Sequence, residues 1–396
     1  MRTWYFSEMA YHPAWEAGLA GGSLRVVLPN GHVDPPTAHG LLNRYLDEFA
    51  LCDEAGLDIM VNEHHATATC MTVSVPMALA IIARETKRAR LLSLGNPIAN
   101  RPDPVRVAEE VAWLDVLSGG RTELGLVKGA AYEIAPANSN PARIMRRYWE
   151  AHDLILKALS THDGPFSWEG EYFHYRNVNI WPRPVQQPHP PIWMTGMSAA
   201  TGRVAAERGH VVGTLLSGGI AKPMFDAYRA RARELGWEAG ADRMAYAAVV
   251  GVGHTRAEGY RRADLIAGYV RTAPVVAEPF TNPPGYNTIP ANVAMLKAGK
   301  KKGRIVADRN GNLIDATQAT VEDLMATDTV FAGTPDDVFA QIKDFNTRMG
   351  GVGHLLFFGQ GGHLDHKDTV ENITLFAREV APRLRELNPG QRAAAE

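Results

Sequence analysis

The 396-residue sequence predicts one α/β domain, a (β/α)8 TIM barrel with insertions. Three observations predict it. Residues 91–127 hold a complete strand–helix–strand unit with short joints, and parallel strands need such crossovers. Strand-like runs alternate with helical periodicity along the chain until eight strands are counted. No GxGxxG follows the first strand, which removes the main signal for a doubly wound open sheet.

Residues 3–7 form the first strand, followed by a long Gly-, Pro- and His-bearing loop with the reach to cover a site. Helical periodicity over 37–56 ends at Gly56, suited to a C-terminal cap. The second strand, 57–62, delivers Glu63, His64 and His65 at its end, and a helix covers 74–86. The apolar run 91–94 then stops at Gly95-Asn96-Pro97. Pro104 suits a first helical turn, where a missing N–H is tolerated, and Val105, Ala108, Val111 and Ala112 recur at helical spacing. Ser118-Gly119-Gly120 halts that helix and 123–127 restarts an extended run. Residues 142–160 are again helical.

The alternation breaks at 166–175, two β-rich runs around a Gly turn that read as a hairpin after the fourth strand's helix. Pro182, Pro184, Pro188, Pro190 and Pro191 stiffen the connector behind it. Strands at 192–195, 211–216 and 244–252 alternate with helices at 198–208, 223–235 and 257–269. Residues 272–330 are too long for a joint and carry Pro283-Pro284-Gly285-Tyr286 and the basic Lys300, Lys301, Lys302 and Arg304. They form an insertion before the eighth strand, read equally as a solvated excursion or as a substrate lid. A helix capped at Thr334-Pro335, the strand 354–358 and a closing helix over 368–386 complete the single domain, 1–396.

Composition narrows the function. With 45% hydrophobic and 21% charged residues and a formal net charge of −2, the chain has no electrostatic footprint for nucleic acid or an anionic membrane. No apolar run is long enough to span a bilayer, and the N-terminus runs straight into a strand without a signal-peptide pattern. Two cysteines, Cys52 and Cys70, cannot build a disulfide framework, so the expected home is the cytoplasm.

In a barrel the C-terminal strand ends converge on one face, which carries the chemistry. The candidates are therefore Glu63, His64, His65, Asn96, Lys128 and the turn 195–201. Adjacent residues on an extended segment point to opposite sides, so His64 and His65 cannot share one ion, and no HxH, HExxH or CxxC accompanies them. No metal site is expected, which disfavours a metal-dependent hydrolase. A histidine there can move a proton near neutral pH. Lys128 beside Gly129 suits a phosphate contact. In Thr195-Gly196-Met197-Ser198 a strand ends, a Gly turns and a Ser starts a helix, which aims N–H groups and the hydroxyls of Ser198 and Thr201 at any anion there. In isolation Ser198 reads as a helix cap. Together the two features describe a phosphate cradle between strands four and five. The aromatic stretches Trp4-Tyr5-Phe6 and 166–175 read as packing rather than as a pocket lining.

Four ordered segments, GLDIMVNEHH (56–65), NRPDPVRVAEEVAWLDVLSGGR (100–121), GLVKG (125–129) and TGMSAATGRVAAERG (195–209), resemble the bacterial luciferase-like flavin monooxygenase family, over nearly the whole chain outside the insertion. The resemblance implies a barrel that binds FMN, usually reduced FMN delivered by a separate NAD(P)H:flavin reductase, and uses O2 through a flavin C4a-peroxide to oxygenate a small organic substrate. Carried over by position, flavin contacts fall on Lys128, Ser198 and Thr201, with Met197 in the same turn. The active-site histidine falls on His64, and a non-proline cis peptide falls at Gly95-Asn96 under the flavin ring. A homodimer is implied too. Luciferases proper carry Cys where this chain has Val127, so light emission is not implied. Two alternatives share the fold: a deazaflavin-dependent hydride-transfer enzyme and a non-catalytic flavin-binding protein.

Overall fold

A computed structural model describes residues 1–297, 305–310 and 312–388. Eight parallel strands close into a barrel: β1 (Arg2–Ser7), β2 (Asp58–Val61), β3 (Leu91–Pro97), β4 (Thr122–Val127), β5 (Ile192–Thr195), β6 (Val211–Leu215), β7 (Met244–Val252) and β8 (His354–Gln360). Closure is visible at β1, where Trp4 pairs with Leu356 of β8 on one side and with Asp58 of β2 on the other. The predicted (β/α)8 class is therefore the observed one.

Alternate side chains of each strand enter different layers. Trp4, Phe6, Met60, Leu92, Leu94, Trp193, Leu356 and Phe358 fill the barrel interior. Tyr5, Ile59, Val61, Leu91, Leu355 and Phe357 pack outward against the helices. Trp4, Tyr5 and Phe6 are thus core residues, as their apolar pattern predicts. The helices start where polar caps stand: Asp34, Ser74, Asp103, Ser198, Thr255, Thr334 and Asp365 each accept a backbone N–H of the first turn.

The hairpin pairs Phe166–Glu169 with His174–Val178. Glu150, from the helix Ile144–Ser160, fastens it by accepting Trp168 Nε1 and the N–H groups of Glu171, Tyr172 and Phe173. The connector's X-Pro bonds at Trp181-Pro182 and Gln187-Pro188 are cis.

The described residues of 272–330 include regular elements. It holds a helix at Ile289–Lys297, a two-stranded ribbon of Ile305–Ala307 with Leu313–Asp315, and a helix at Val321–Ala326. Lys300, Lys301, Lys302 and Arg304 lie outside the described residues. A ninth sheet strand, Val330–Gly333, pairs in parallel with Val249 to Val252 of β7. Sequence reading missed it because a four-residue apolar run at the edge of an insertion has no period of its own.

Two buried histidines make stability depend on pH. Trp4 Nε1 donates to His354 Nδ1 at 3.1 Å and His354 Nε2 donates to the Asp242 carbonyl at 2.9 Å, so the neutral tautomer satisfies both atoms. Burial, with Arg2 adding to it, pushes His354 down to about 3. Burial and His152, whose Nε2 is 2.8 Å from His210 Nε2, push His210 down to about 3 as well. Both folded-state values lie below the ordinary 6.5, so on acidification the unfolded chain takes up these protons first. The expected outcome is full stability above about pH 6.5 and progressive loss down to about pH 3, by up to about 1.4 kcal/mol per pH unit for each histidine. Urea midpoints measured across that window check this; a flat profile would exclude it.

Candidate active site

A cleft of about 770 Å³ opens at the C-terminal ends of the strands. It collects residues that the sequence places at strand ends: Glu63 and His64 after β2, Lys128 after β4, and Met197, Ser198 and Thr201 after β5. Leu94, Leu126, Met145, Trp149 and Met194 give it apolar walls.

The three residues after β2 divide their work. Glu63 is buried and accepts Val75 N at 2.8 Å, Arg101 Nη2 at 2.7 Å and His65 Nε2 at 2.9 Å, tying the strand end to the next helix. His65 is held above its ordinary value mainly by that hydrogen bond to Glu63. His64 takes a different partner, Glu133 Oε1 at 2.9 Å through Nδ1. Glu133 also accepts Ala130 N at 2.7 Å and His65 N at 3.2 Å. Burial raises the Glu133 carboxyl, but the bonds from His64 and the two N–H groups outweigh it and hold it below the usual range. An ionised carboxylate only accepts, so His64 Nδ1 carries the proton and Nε2 is left for the cleft. The two histidines are therefore committed to separate carboxylates. Among the described residues no three of His, Cys, Asp and Glu gather as metal ligands do.

Glu133 went unrecognised in the sequence. The available signal was an acidic residue five positions beyond Lys128, in the turn Ala131–Glu133 just past a barrel strand.

Beside Lys128 the cleft has a wall that the sequence did not show. Lys128 Nζ sits 3.5 Å from the centre of the Tyr286 ring, and Tyr286 Oη donates to the Gly129 carbonyl at 2.6 Å. Burial pushes Lys128 down to about 8. Opposite, Ser198 caps the helix Ala199–Arg208, accepting Thr201 N at 3.2 Å, and pairs with Thr201 Oγ at 3.0 Å. Ser198 is thus a helix cap, and it also lines the cleft. Both turns require their glycines: a Cβ on Gly196 would stand 2.5 Å from Thr201 Cγ2, and one on Gly129 (φ +92°) 2.6 Å from Asn100 Nδ2. Backbone thus lines the space between cation and helix N-terminus, which suits a phosphate.

Two expectations at β3 need correction. The non-proline cis bond is Leu94-Gly95, one bond before the expected Gly95-Asn96. The register against β4 shifts between Ser93 and Asn96, and Gly95 approaches Val127 so closely that a Cβ would meet Val127 Cγ1 at 2.3 Å. The Asn96 side chain does not line the cleft; Gly95 and Pro97 do. Alternation along the strand turns Asn96 into the core, where Nδ2 donates to Ser93 Oγ at 3.2 Å and Oδ1 has no partner among the described residues.

Residues 24–351 match the luciferase-like monooxygenase family. The chain belongs to that family. Its relatives span two cofactor chemistries. The oxygenase component of a flavin-dependent trigonelline monooxygenase from Acinetobacter baylyi is 26% identical over 181 residues, 44% of this chain and 49% of that protein. An F420-dependent glucose-6-phosphate dehydrogenase from Amycolatopsis mediterranei is 26% identical over 352 residues, 87% of this chain and 95% of that protein. The matches span 63% and 49% of the lengths of the first two curated relatives. Among solved structures, the oxygenating constituent of 3,6-diketocamphane monooxygenase from Pseudomonas putida, in complex with FMN, shares the luciferase-like fold with a TM-score of 0.66 at 21% identity, covering 87% of this chain and 94% of that one. Among the described residues, no helix of this luciferase-like chain is long and apolar enough to cross a membrane.

Proposed function

We propose that the protein is an FMN-dependent monooxygenase that takes reduced FMN from a separate NAD(P)H:flavin reductase and oxygenates a small organic substrate. The observation that carries this reading is the sharing of one cleft by an anion cradle (Lys128, Ser198, Thr201) and a carboxylate-backed histidine (His64–Glu133). Lys128 and the helix N-terminus bind the phosphate of FMN, and Met197 flanks it. Bound reduced FMN supplies the electrons that activate O2. The apolar walls exclude water from the reacting centre. His64 holds or moves a proton at Nε2, and Glu133 stabilises the charge when that ring is protonated.

The test is stopped-flow mixing of the FMN-reduced protein with oxygenated buffer, followed by product analysis with candidate substrates. Oxygen-dependent product supports the reading; FMN binding without product under any condition points to flavin storage. One observation favours a second reading: the F420-dependent relative aligns over 87% of this chain, so deazaflavin hydride transfer is the alternative. Tighter binding of F420 than of FMN, with oxygen-independent turnover, would establish it instead.

We also propose a homodimer. The adjacent helices Val75–Glu85 and Pro104–Ser118 expose Met77 (61%), Ile81, Trp113 (49%) and Val116 toward solvent. Covering such a face is favourable at roughly 25 cal/mol per Å² of apolar surface. Trp113→Glu is expected to convert a dimer into a monomer in sedimentation velocity; a wild-type monomer at micromolar concentration would exclude the dimer.

A further inference from the structure

The polar side chains of the cleft are sorted by what they offer a ligand. Glu8 directly follows β1 and Asn62 directly follows β2; both line the cleft, and they are 5% and 6% exposed. Asn62 Nδ2 donates to Glu8 Oε2 at 2.8 Å. A carboxylate only accepts, so this bond fixes the amide with Oδ1 turned away from Glu8, where the Cys70 thiol, 3.8 Å off, is a weak donor to it. His64 Nε2, left for the cleft by the bond from Nδ1 to Glu133, is a third acceptor. Lys128 and the hydroxyls of Ser198 and Thr201, which can donate to an anion, follow β4 and β5 instead.

The carboxylates of the cleft already face cations. The Arg25 guanidinium faces Glu8 and Glu133, Arg101 Nη2 lies 2.7 Å from Glu63, and His64 Nδ1 lies 2.9 Å from Glu133. The acceptors after β1 and β2 therefore call for no charge from a ligand. They call for hydrogen: a group seated against Glu8 and Asn62 must donate, because an ether, carbonyl or carboxylate there would set lone pair against lone pair. The rest of the ligand meets apolar walls at Leu94, Leu126 and Met194.

We propose that Glu8 and Asn62 form the specificity subsite for a neutral hydrogen-bond donor on the substrate, making the substrate an apolar molecule anchored by a hydroxyl or N–H group. This rests on the reading of the cleft as the active site. A hydrocarbon of the same shape would strip water from Glu8 and Asn62 and return no hydrogen bond, so the subsite rejects it. Reduced flavin carries N–H groups of its own, and the experiment separates the two sources.

The experiment uses the flavin-free protein and three isosteric probe pairs: p-cresol and p-xylene, indole and indene, cyclohexanol and methylcyclohexane. A purely apolar cleft binds the hydrocarbon of each pair more tightly. Titration calorimetry is expected to show the reverse, with at least one donor bound about tenfold or more tighter than its hydrocarbon. Glu8→Gln, which keeps an acceptor oxygen without the charge, cuts that ratio by about fivefold or more. Asn62→Leu, which removes the second acceptor and the bond that orients Glu8, lowers it too and carries the test if Glu8→Gln fails to fold. Hydrocarbons bound as tightly as their donors in every pair, or a donor preference that survives both variants, would overturn the proposal. Riboflavin affinity is expected at the wild-type level in both variants; a loss there would place the flavin's own N–H on Glu8 and would overturn the substrate assignment as well. Donor preference in a wild-type protein that fails to bind FMN supports the subsite and removes only the cofactor reading.

Discussion

Lys128→Met is expected to weaken FMN binding by about 10- to 100-fold and to leave riboflavin binding unchanged. The estimate follows from losing a charge-assisted contact, roughly 1.5–3 kcal/mol, at a partly desolvated site. Methionine keeps an unbranched apolar stem one atom shorter than that of lysine, so the change removes chiefly the ammonium group that faces the Tyr286 ring. The same assignment fixes the pH dependence. FMN affinity rises as the phosphate loses its second proton near pH ~6. Burial holds Lys128 at about 8, so affinity falls again as pH passes that value and the ammonium is depleted. Riboflavin, with no phosphate, follows neither limb. Fluorescence titration of both flavins across this range checks the prediction. Equal losses for FMN and riboflavin in Lys128→Met would remove the phosphate from this end of the cleft.

His64→Ala is expected to lower product formation per reduced flavin by about 10²- to 10⁴-fold, the range for a group that transfers a proton in the reaction, with FMN affinity retained. Glu133→Gln should cost less, about tenfold. A glutamine oxygen still accepts His64 Nδ1 at 2.9 Å but no longer supplies the charge that stabilises the protonated ring. The separation between binding and turnover is the diagnostic feature, because the proposed roles of His64 and of Lys128 differ although both line one cleft. Product yield that is unchanged in His64→Ala would assign the histidine to packing against Tyr132 rather than to chemistry.

What the sequence by itself determined is local. Strand and helix periodicities, caps such as Ser74 and Asp103, and the (β/α)8 order are written within windows of about ten to twenty residues, and the structure carries them. That His64, Lys128 and Ser198 would line the cleft was legible for the same reason: each lies within three residues of a strand end, Thr201 follows in the first turn of the helix that Ser198 caps, and barrel geometry turns strand ends into a common face. Asn96 shows the limit of that rule, because one step of alternation separates a residue that lines the cleft from one buried behind it. Tertiary structure alone decided the partners. Glu133 reaches His64 across 69 residues, Tyr286 closes on Gly129 across 157, and Arg25 is anchored on Ala273 across 248. The strand Val330–Gly333 is defined by pairing with β7 rather than by its own four residues. Periodicity and turn chemistry act between neighbours in the chain, whereas strand pairing, burial and side-chain partners depend on which distant segments the closed barrel brings together.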